Sequence, residues 1–153
     1  MSGHNDMTAG ADSPIRVVVA IIERADRRIL IAQRRKTDTS PLKWEFPGGK
    51  ARDGESLEAA LAREVEEELG AKLSACREIT SVRHQYAGRS EELEIHFCAA
   101  AIDESAPLTP RVFEQIAWAL PRELGNYDFL AANLPLVAQL ATGRVKPAEF
   151  LER

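Results

Sequence analysis

Apolar residues recur along the chain at two spacings, one typical of strands and one typical of helices. The clearest strand pattern is in residues 92–101 (ELEIHFCAAA), where apolar and polar side chains alternate at the start of the segment. Four more segments have a composition that predicts strands, namely residues 15–23, 28–33, 72–86 and 116–120. A short polar turn joins the first two of these, so we expect them to pair as a hairpin.

The helical spacing is clearest in residues 55–70. Leu57, Leu61, Val65 and Leu69 recur every four residues and would share one face of a helix. Ser56 is a candidate N-cap, and glycine at position 70 supplies a left-handed stop. Residues 129–141 predict a terminal helix. Since helices, strands and a hairpin alternate along the chain, the expected class is α/β (α+β) with a mixed sheet.

The predicted helix carries a cluster of acids beside its apolar stripe. At about 100° per residue, Glu64, Glu67 and Glu68 fall within one sector of the surface. Carboxylates gathered in this way repel one another, and a hard divalent cation such as Mg²⁺ relieves the repulsion. A charge run is more often only a solvated helix face, and that interpretation suits Glu58 and Glu66, which point elsewhere.

The spacing around these acids is that of a known signature. Residues 49–71 read GKARDGESLEAALAREVEEELGA and match G-x5-E-x7-R-E-U-x-E-E-x-G-U, where U is aliphatic. Only Ala71 is smaller than the usual closing residue. The stretch resembles the Nudix box of enzymes that cleave pyrophosphate bonds. The resemblance covers residues 14–142 and implies an α/β/α sandwich. From their composition, residues 1–13 are expected to be a disordered N-terminal tail and residues 143–153 a C-terminal tail.

The same resemblance assigns roles to the residues of the box. The implied metal ligands are three carboxylates and a backbone carbonyl, from Glu64, Glu67, Glu68 and either Gly48 or Gly49. The implied ion is Mg²⁺, for which Mn²⁺ could substitute. Glu55 and Arg63 are implied supporting residues, with the planar fork of Arg63 orienting a ligand carboxylate. Glycines next to the site let the backbone approach metal and phosphate closely.

Three further segments resemble the MutT-like nucleoside triphosphate pyrophosphohydrolases, namely residues 32–35 (AQRR), 43–50 (KWEFPGGK) and 128–135 (DFLAANLP). In that branch an asparagine reads the purine edge, because a carboxamide offers both a donor and an acceptor. Asn133 is therefore an implied base contact, and a helix N-cap is its alternative role. The other implied substrate contacts are Glu45, Phe46, Gly48, Lys50 and one of Arg34 and Arg35, and a plain core aromatic is the alternative role for Phe46. Successive strand residues point to opposite faces, so only one of the two arginines can enter the cleft.

One position departs from the MutT pattern. MutT-type enzymes have a further acid just before the tryptophan of a late strand, whereas Ala117 precedes Trp118 here. Glu114 is the predicted substitute, with an ordinary exposed loop glutamate as the alternative. Tyr86 lies near the position of a tyrosine in dinucleoside polyphosphate hydrolases, at a loosely defined offset. His84 and His96 are expected to be structural.

Composition restricts the partners. A chain of 153 residues that is 44% hydrophobic suits one compact domain. The net charge of −4 argues against a nucleic-acid polymer as partner, since binders of phosphate backbones are normally basic. Cys76 and Cys98 lie in apolar segments without CxxC spacing, which favours free thiols in a reducing compartment. With no long apolar stretch and no leader pattern, we expect a cytoplasmic monomer or homodimer without membrane contact.

The resemblance implies Mg²⁺-dependent hydrolysis of a nucleoside triphosphate to the monophosphate and pyrophosphate. The first candidate substrate is 8-oxo-dGTP or a related damaged nucleotide. Alternatives with the same reaction type are CTP-like, ADP-ribose and dinucleoside polyphosphate substrates. A non-catalytic domain that senses a nucleotide is a further alternative, which the complete set of box acids disfavours.

Overall fold

The computed structural model describes residues 14–152 except for positions 86, 87, 89 and 106. Within these residues the strands are β1 (Ile15–Ile22), β2 (Ile29–Gln33), β3 (Trp44–Glu45), β4 (Gly48–Lys50), β5 (Leu73–His84), β6 (Leu93–Ile102) and β7 (Gln115–Ala119). The α-helices are α1 (Leu57–Leu69), α2 (Leu134–Ala141) and α3 (Pro147–Leu151). Two 3₁₀ turns, Pro121–Asn126 and Ala131–Asn133, precede α2.

The strands form two sheets. The larger sheet has the order β4-β1-β6-β5, and the smaller has the order β3-β2-β7. β1 runs parallel to β6, from the pair Ile15–Leu93 to the pair Ile22–Ala100, and its other neighbour, β4, is antiparallel. The larger sheet is therefore mixed, as predicted.

Two apolar layers hold helices against these sheets. β1 contributes side chains to both, because its successive residues point to opposite faces. Val18 and Ala20 pack with Leu61 and Val65 of α1 on one side. Ile21 packs on the other side with a second cluster that includes apolar residues of α2. The layers are the predicted sandwich, and α1 is fixed against the larger sheet by its apolar stripe.

The predicted hairpin is limited to its turn. Glu23 forms an antiparallel bridge with Ile29, and the Arg24 amide bonds the Arg28 carbonyl (2.8 Å), but β1 and β2 then continue in different sheets. The last five residues of β1 and the first four of β2 are buried, so their apolar pattern indicates a core position and carries no information about the pairing partner. Gly48 and Gly49, the glycines next to the predicted site, form β4 together with Lys50.

The termini of α1 match the sequence prediction closely. Ser56 is the N-cap, and its hydroxyl accepts a hydrogen bond from the Ala59 amide at 3.1 Å. Gly70 ends the helix with φ of 69°, the left-handed conformation that favours glycine. The helix itself begins at Leu57, two residues later than predicted.

The C-terminal part differs more from expectation. The predicted helix over residues 129–141 starts with a 3₁₀ turn, and α2 begins only at Leu134, with proline in its first turn. The segment that we expected to be a tail contains α3, whose Pro147 is buried, while Val145 packs on the core.

Cys76 and Cys98 are free thiols, and burial raises the pKa of Cys98 to about 12. Among the described residues, no helix is long and apolar enough to cross a membrane.

Candidate active site

A cleft of about 680 Å³ opens on the side of the larger sheet that faces away from α1. Its floor is formed by aliphatic side chains of β1 and β6, and its walls by β4, the loop after β2 and the segment before α2. Polar groups enter it from several elements, including Arg34, Glu45, Glu68 and Asn133. Residues that are distant in sequence thus share one concave space, which is the usual form of a small-molecule site.

Glu68 connects this cleft to the acidic helix. Its Oε1 accepts a hydrogen bond from the Gly48 amide at 3.0 Å. Burial raises the pKa of the Glu68 carboxyl to about 8, and the nearby carboxylates of Glu64, Glu45 and Glu67 act in the same direction. A buried carboxyl with acidic neighbours of this kind is stabilised as the carboxylate by a cation.

Arg63 occupies the centre of the acidic cluster. Its Nε and Nη2 bond both oxygens of Glu55, at 2.8 and 2.9 Å. Its Nη1 lies 2.9 Å from Glu64 Oε2 and 3.3 Å from Glu67 Oε1, and Nη2 also bonds the Lys50 carbonyl at 3.0 Å. Hydrogen bonds from Arg63 hold the pKa of Glu55 at about 2, so that Glu55 is a carboxylate throughout the physiological range. Arg63 thereby orients the carboxylates of Glu64 and Glu67, two of the predicted metal ligands.

The glycines of β4 allow this strand to lie against the acids. A Cβ atom on Gly49 would fall 2.6 Å from both carboxylate oxygens of Glu64, and one on Gly48 would meet the Val18 carbonyl and come within 2.8 Å of the Val19 Cα. At Gly48 the clash is with the backbone, so only glycine fits there, whereas a side chain at Gly49 would require the Glu64 carboxylate to move. The close approach that we expected towards metal and phosphate is, in the structure, an approach to β1 and Glu64.

The residues present suit a hard divalent cation. Carboxylates from one helix face, next to the backbone of β4, are the oxygen donors that Mg²⁺ prefers. In the described part of the chain, no three Asp, Glu, His or Cys side chains already stand as a preformed metal cage. Arg63 instead holds Glu64 and Glu67, so these two carboxylates would have to turn towards a bound ion.

The structure separates the two adjacent arginines. Arg34 lines the cleft, where it pairs with Glu45 at 3.2 Å and bonds the Thr39 carbonyl at 2.7 Å. Arg35 points away and donates to the carbonyls of Arg111 (2.9 Å) and Phe113 (3.5 Å). Arg34 is therefore the arginine that can meet a ligand, and the prediction that Arg35 contacts substrate is not supported by its position.

Asn133 is the buried polar residue of the cleft. It is 6% exposed, and its side chain makes no capping bond to α2 and no hydrogen bond to any other described residue. Its backbone is helical, whereas an N-cap residue is normally extended. Asn133 therefore occupies the N-cap position of α2 without making the capping bond, and its carboxamide is available to a ligand. Phe46, 3% exposed, lines the same cleft and packs on Phe129 with a centroid separation of 5.2 Å.

Other candidates lie outside the cleft. Glu114 is exposed just before β7 and does not line the cleft, although its amide bonds the Gln33 carbonyl at 2.8 Å. Its role as an extra acid stays a prediction. His96 lies between Glu78 (2.6 Å) and Glu94 (2.9 Å), a structural arrangement as expected. Tyr86 falls outside the described residues, and His84 does not line the cleft.

Sequence reasoning missed the apolar floor. Val17, Val19, Leu93 and Ile95 line the cleft, and the odd-numbered positions of the two alternating strands would have placed them on one face. It also missed Thr39, whose hydroxyl and carbonyl both accept hydrogen bonds from Arg34. A polar loop residue of this kind carries no sequence signal of its own.

Comparison with known proteins identifies relatives over nearly the whole domain. Residues 13–140 match the family model described as the NUDIX domain. The CTP pyrophosphohydrolase of Escherichia coli (strain K12) is 36% identical over 137 residues, which cover 88% of this chain and 98% of that protein. The 8-oxo-dGTP diphosphatase of the same strain is 30% identical over 135 residues, covering 82% and 95%.

Solved structures agree with these relatives. A MutT structure described for Aliivibrio salmonicida and Vibrio cholerae has 32% identity and a TM-score of 0.71, and the match covers 86% of this chain and 99% of that one. The E. coli ORF135 protein in solution has 34% identity and a TM-score of 0.71, with coverage of 89% and 94%.

Proposed function

The chain belongs to the Nudix family, and we propose that it is a Mg²⁺-dependent hydrolase that cleaves a nucleoside triphosphate to the monophosphate and pyrophosphate. The family match and the named relatives make it a Nudix hydrolase of nucleotides. The observation that supports the triphosphate assignment is one cleft that contains Glu68 of the acidic cluster and the Asn133 carboxamide, which has no hydrogen-bond partner in the described part of the chain. Glu68 suits the metal-bound phosphates of a nucleotide, and the Asn133 carboxamide suits its base.

The chemistry is an exchange of one bond for another at phosphorus. Water adds across the α–β anhydride: its oxygen bonds to one of the two phosphorus atoms, the bond from that atom to the bridging oxygen breaks, and a proton is released as the monophosphate and pyrophosphate separate. A divalent cation supplies charge neutralisation and lowers the pKa of the attacking water. Glu64, Glu67 and Glu68 are the proposed side-chain ligands, with a carbonyl of Gly48 or Gly49.

The remaining groups of the cleft bind and orient the nucleotide. Arg34 and Glu45 form a half-buried ion pair, with side chains 22% and 20% exposed. Burial raises the pKa of Glu45, and the Arg34 guanidinium opposes that rise. Glu45 and Thr39 hold the Arg34 guanidinium in place, so it is already oriented to bind a phosphate or a sugar hydroxyl. Phe46 offers an aromatic surface to a base, and the exposed Lys50 stands at the edge of the cleft.

Two bases are candidates. A guanine-type base, as in 8-oxo-dGTP, suits a carboxamide that can donate and accept at once, and Asn133 lies in the segment that resembles MutT. Cytosine also presents both a donor and an acceptor, and the relative named CTP pyrophosphohydrolase is 36% identical over 98% of its length. We place 8-oxo-dGTP first and CTP second.

A substrate panel combined with one substitution tests the assignment. The panel compares kcat/KM for 8-oxo-dGTP, dGTP, CTP and dCTP and identifies the products. Asn133→Ala should lower kcat/KM for the preferred base by about 5- to 150-fold, because an unpaired polar group in a closed pocket costs about 1–3 kcal/mol. Triphosphates with a different base edge should lose much less.

Asn126→Ala is the matched control, since Asn126 is exposed and lies outside the cleft. A loss that is equal for all substrates and follows the melting temperature would overturn base recognition by Asn133. Absence of pyrophosphate release from every triphosphate would overturn the proposed reaction and leave nucleotide sensing as the alternative.

A further inference from the structure

Arg16, which lies outside the Nudix box, holds the turn that enters it. From β1 its Nη2 donates to the carbonyls of Arg52 and Glu55, each at 3.0 Å. Its own carbonyl accepts a hydrogen bond from the Ala51 amide at 2.9 Å. Arg16, which is partly buried, thus bonds the backbone at both ends of the turn formed by residues 51–55. The turn contains glycine at position 54, with φ of 77°.

The backbone of residues 51–55 also fixes the side chain of Glu55. The Arg52 amide donates to Glu55 Oε1 at 2.8 Å, and the Glu55 amide donates back to the Arg52 carbonyl at 3.0 Å. The same Glu55 carboxylate receives the two bonds from Arg63. The backbone atoms that Arg16 holds therefore belong to the two residues that determine where this carboxylate stands.

The Arg63 guanidinium forms hydrogen bonds both to Glu55 and to the predicted ligands Glu64 and Glu67. It bonds Glu55 with two nitrogens, and with the third it contacts Glu64 and Glu67. If Glu55 moved away, the guanidinium would lose its strongest partner and would pair more fully with the other two carboxylates. A cation would then have to displace Arg63 before it could bind them.

We propose that Arg16 is a positioning residue for the metal site, which keeps Glu55 on Arg63 and so leaves Glu64 and Glu67 able to turn towards a cation. This inference rests on the proposed function, because it takes Glu64 and Glu67 to be ligands. It concerns affinity for the ion more than the chemical step. Arg16 itself does not line the cleft.

The test compares Arg16→Ala and Arg16→Lys with Arg122→Ala, an exposed arginine far from the acidic cluster in sequence and outside the cleft. Mn²⁺ binding is measured by calorimetry without substrate, and the metal concentration for half-maximal activity is measured with it. Loss of a group that bonds a ligand directly weakens metal binding by about 10–100-fold, and we expect about 3–10-fold for the more remote Arg16→Ala. Lysine should restore most of the binding, since one ammonium can donate to both carbonyls.

A double-mutant cycle tests the route through Glu55. Arg16→Ala should have little further effect on Mn²⁺ binding in a Glu55→Gln background, because the two side chains act in series. Additive losses, or a lower melting temperature with unchanged Mn²⁺ binding, would overturn the inference. Should Arg16→Ala fail to fold, Arg16→Gln takes its place in both measurements.

The two proposals fail differently. A wild-type protein that binds Mn²⁺ without hydrolysing any triphosphate contradicts the proposed function, and the calorimetry still tests Arg16. A wild-type protein that hydrolyses triphosphates, with an Arg16→Ala variant that binds Mn²⁺ normally, contradicts only the role of Arg16. A wild-type protein without affinity for Mn²⁺ contradicts both.

Discussion

Glu66 and Glu67 are neighbours in sequence, yet the helix turns them by about 100° relative to each other. Glu67 Oε1 lies 3.3 Å from Arg63, inside the acidic cluster. The side chain of Glu66 is exposed. Its backbone carbonyl accepts hydrogen bonds from the Arg111 side chain and the Gly70 amide. Two identical side chains therefore have different expected roles, and substitution can tell them apart.

Glu67→Gln and Glu68→Gln should each lower kcat by on the order of 10² or more, because each removes a charge that the metal site needs while keeping the size of the side chain. Glu66→Gln should change kcat little. The measurement is kcat at saturating Mg²⁺, with circular dichroism to show that each variant is folded. A Glu66→Gln variant as impaired as Glu67→Gln would show that the helical phase of the site is assigned wrongly.

At the scale of the element, α1 owes its precise ends to its caps. Ser56→Ala should reduce the free energy of unfolding by about 1 kcal/mol, because the Ala59 amide loses its acceptor, and Ser56→Gly should cost only a few tenths. Urea unfolding measures both. Ser74→Ala, at an exposed position in β5, is the control and should be close to neutral. An equal loss in both alanine variants would mean that the hydroxyl of Ser56 does not act as a cap.

At the scale of the whole molecule, the buried acid couples stability to pH and to metal. The pKa of Glu68 is raised from 4.5 to about 8, so between these values the folded protein binds more protons than the unfolded chain. The contribution of this group to stability is complete below pH 4.5 and is lost as the pH rises through about 8. A cation that binds the carboxylate acts in the opposite direction, since it stabilises the folded form in which the site exists.

Chelator-treated protein should therefore melt at a lower temperature at about pH 8 than at about pH 5.5, and Mg²⁺ should raise the melting temperature most at the higher pH. Thermal scans across this range measure the effect. Glu68→Gln is the matched variant and should flatten the dependence in chelator, because it removes the titrating group. A wild-type profile that equals that of Glu68→Gln would show that Glu68 titrates in its ordinary range.

Local patterns predicted the acidic helix well. Its caps, its apolar stripe and the phase of its acids depend on residues within about four positions of one another, so the sequence contains all the information. Strand alternation predicted that Arg34 and Arg35 separate, but it left open which of them enters the cleft. Its outcome depends on Glu45 and Thr39 on one side and on the carbonyls of Arg111 and Phe113 on the other.

By itself, the sequence determined the family, the mixed α/β class and the set of acids around Arg63, because short-range spacing specifies a helix face. Only the tertiary structure decided which strands pair, since β1 and β2 are apolar on both faces and each would suit either sheet. It also decided that Asn133 is buried with no side-chain hydrogen bond among the described residues, and that Arg16 reaches the turn before α1. Such contacts join residues far apart in the chain, and no local pattern encodes them.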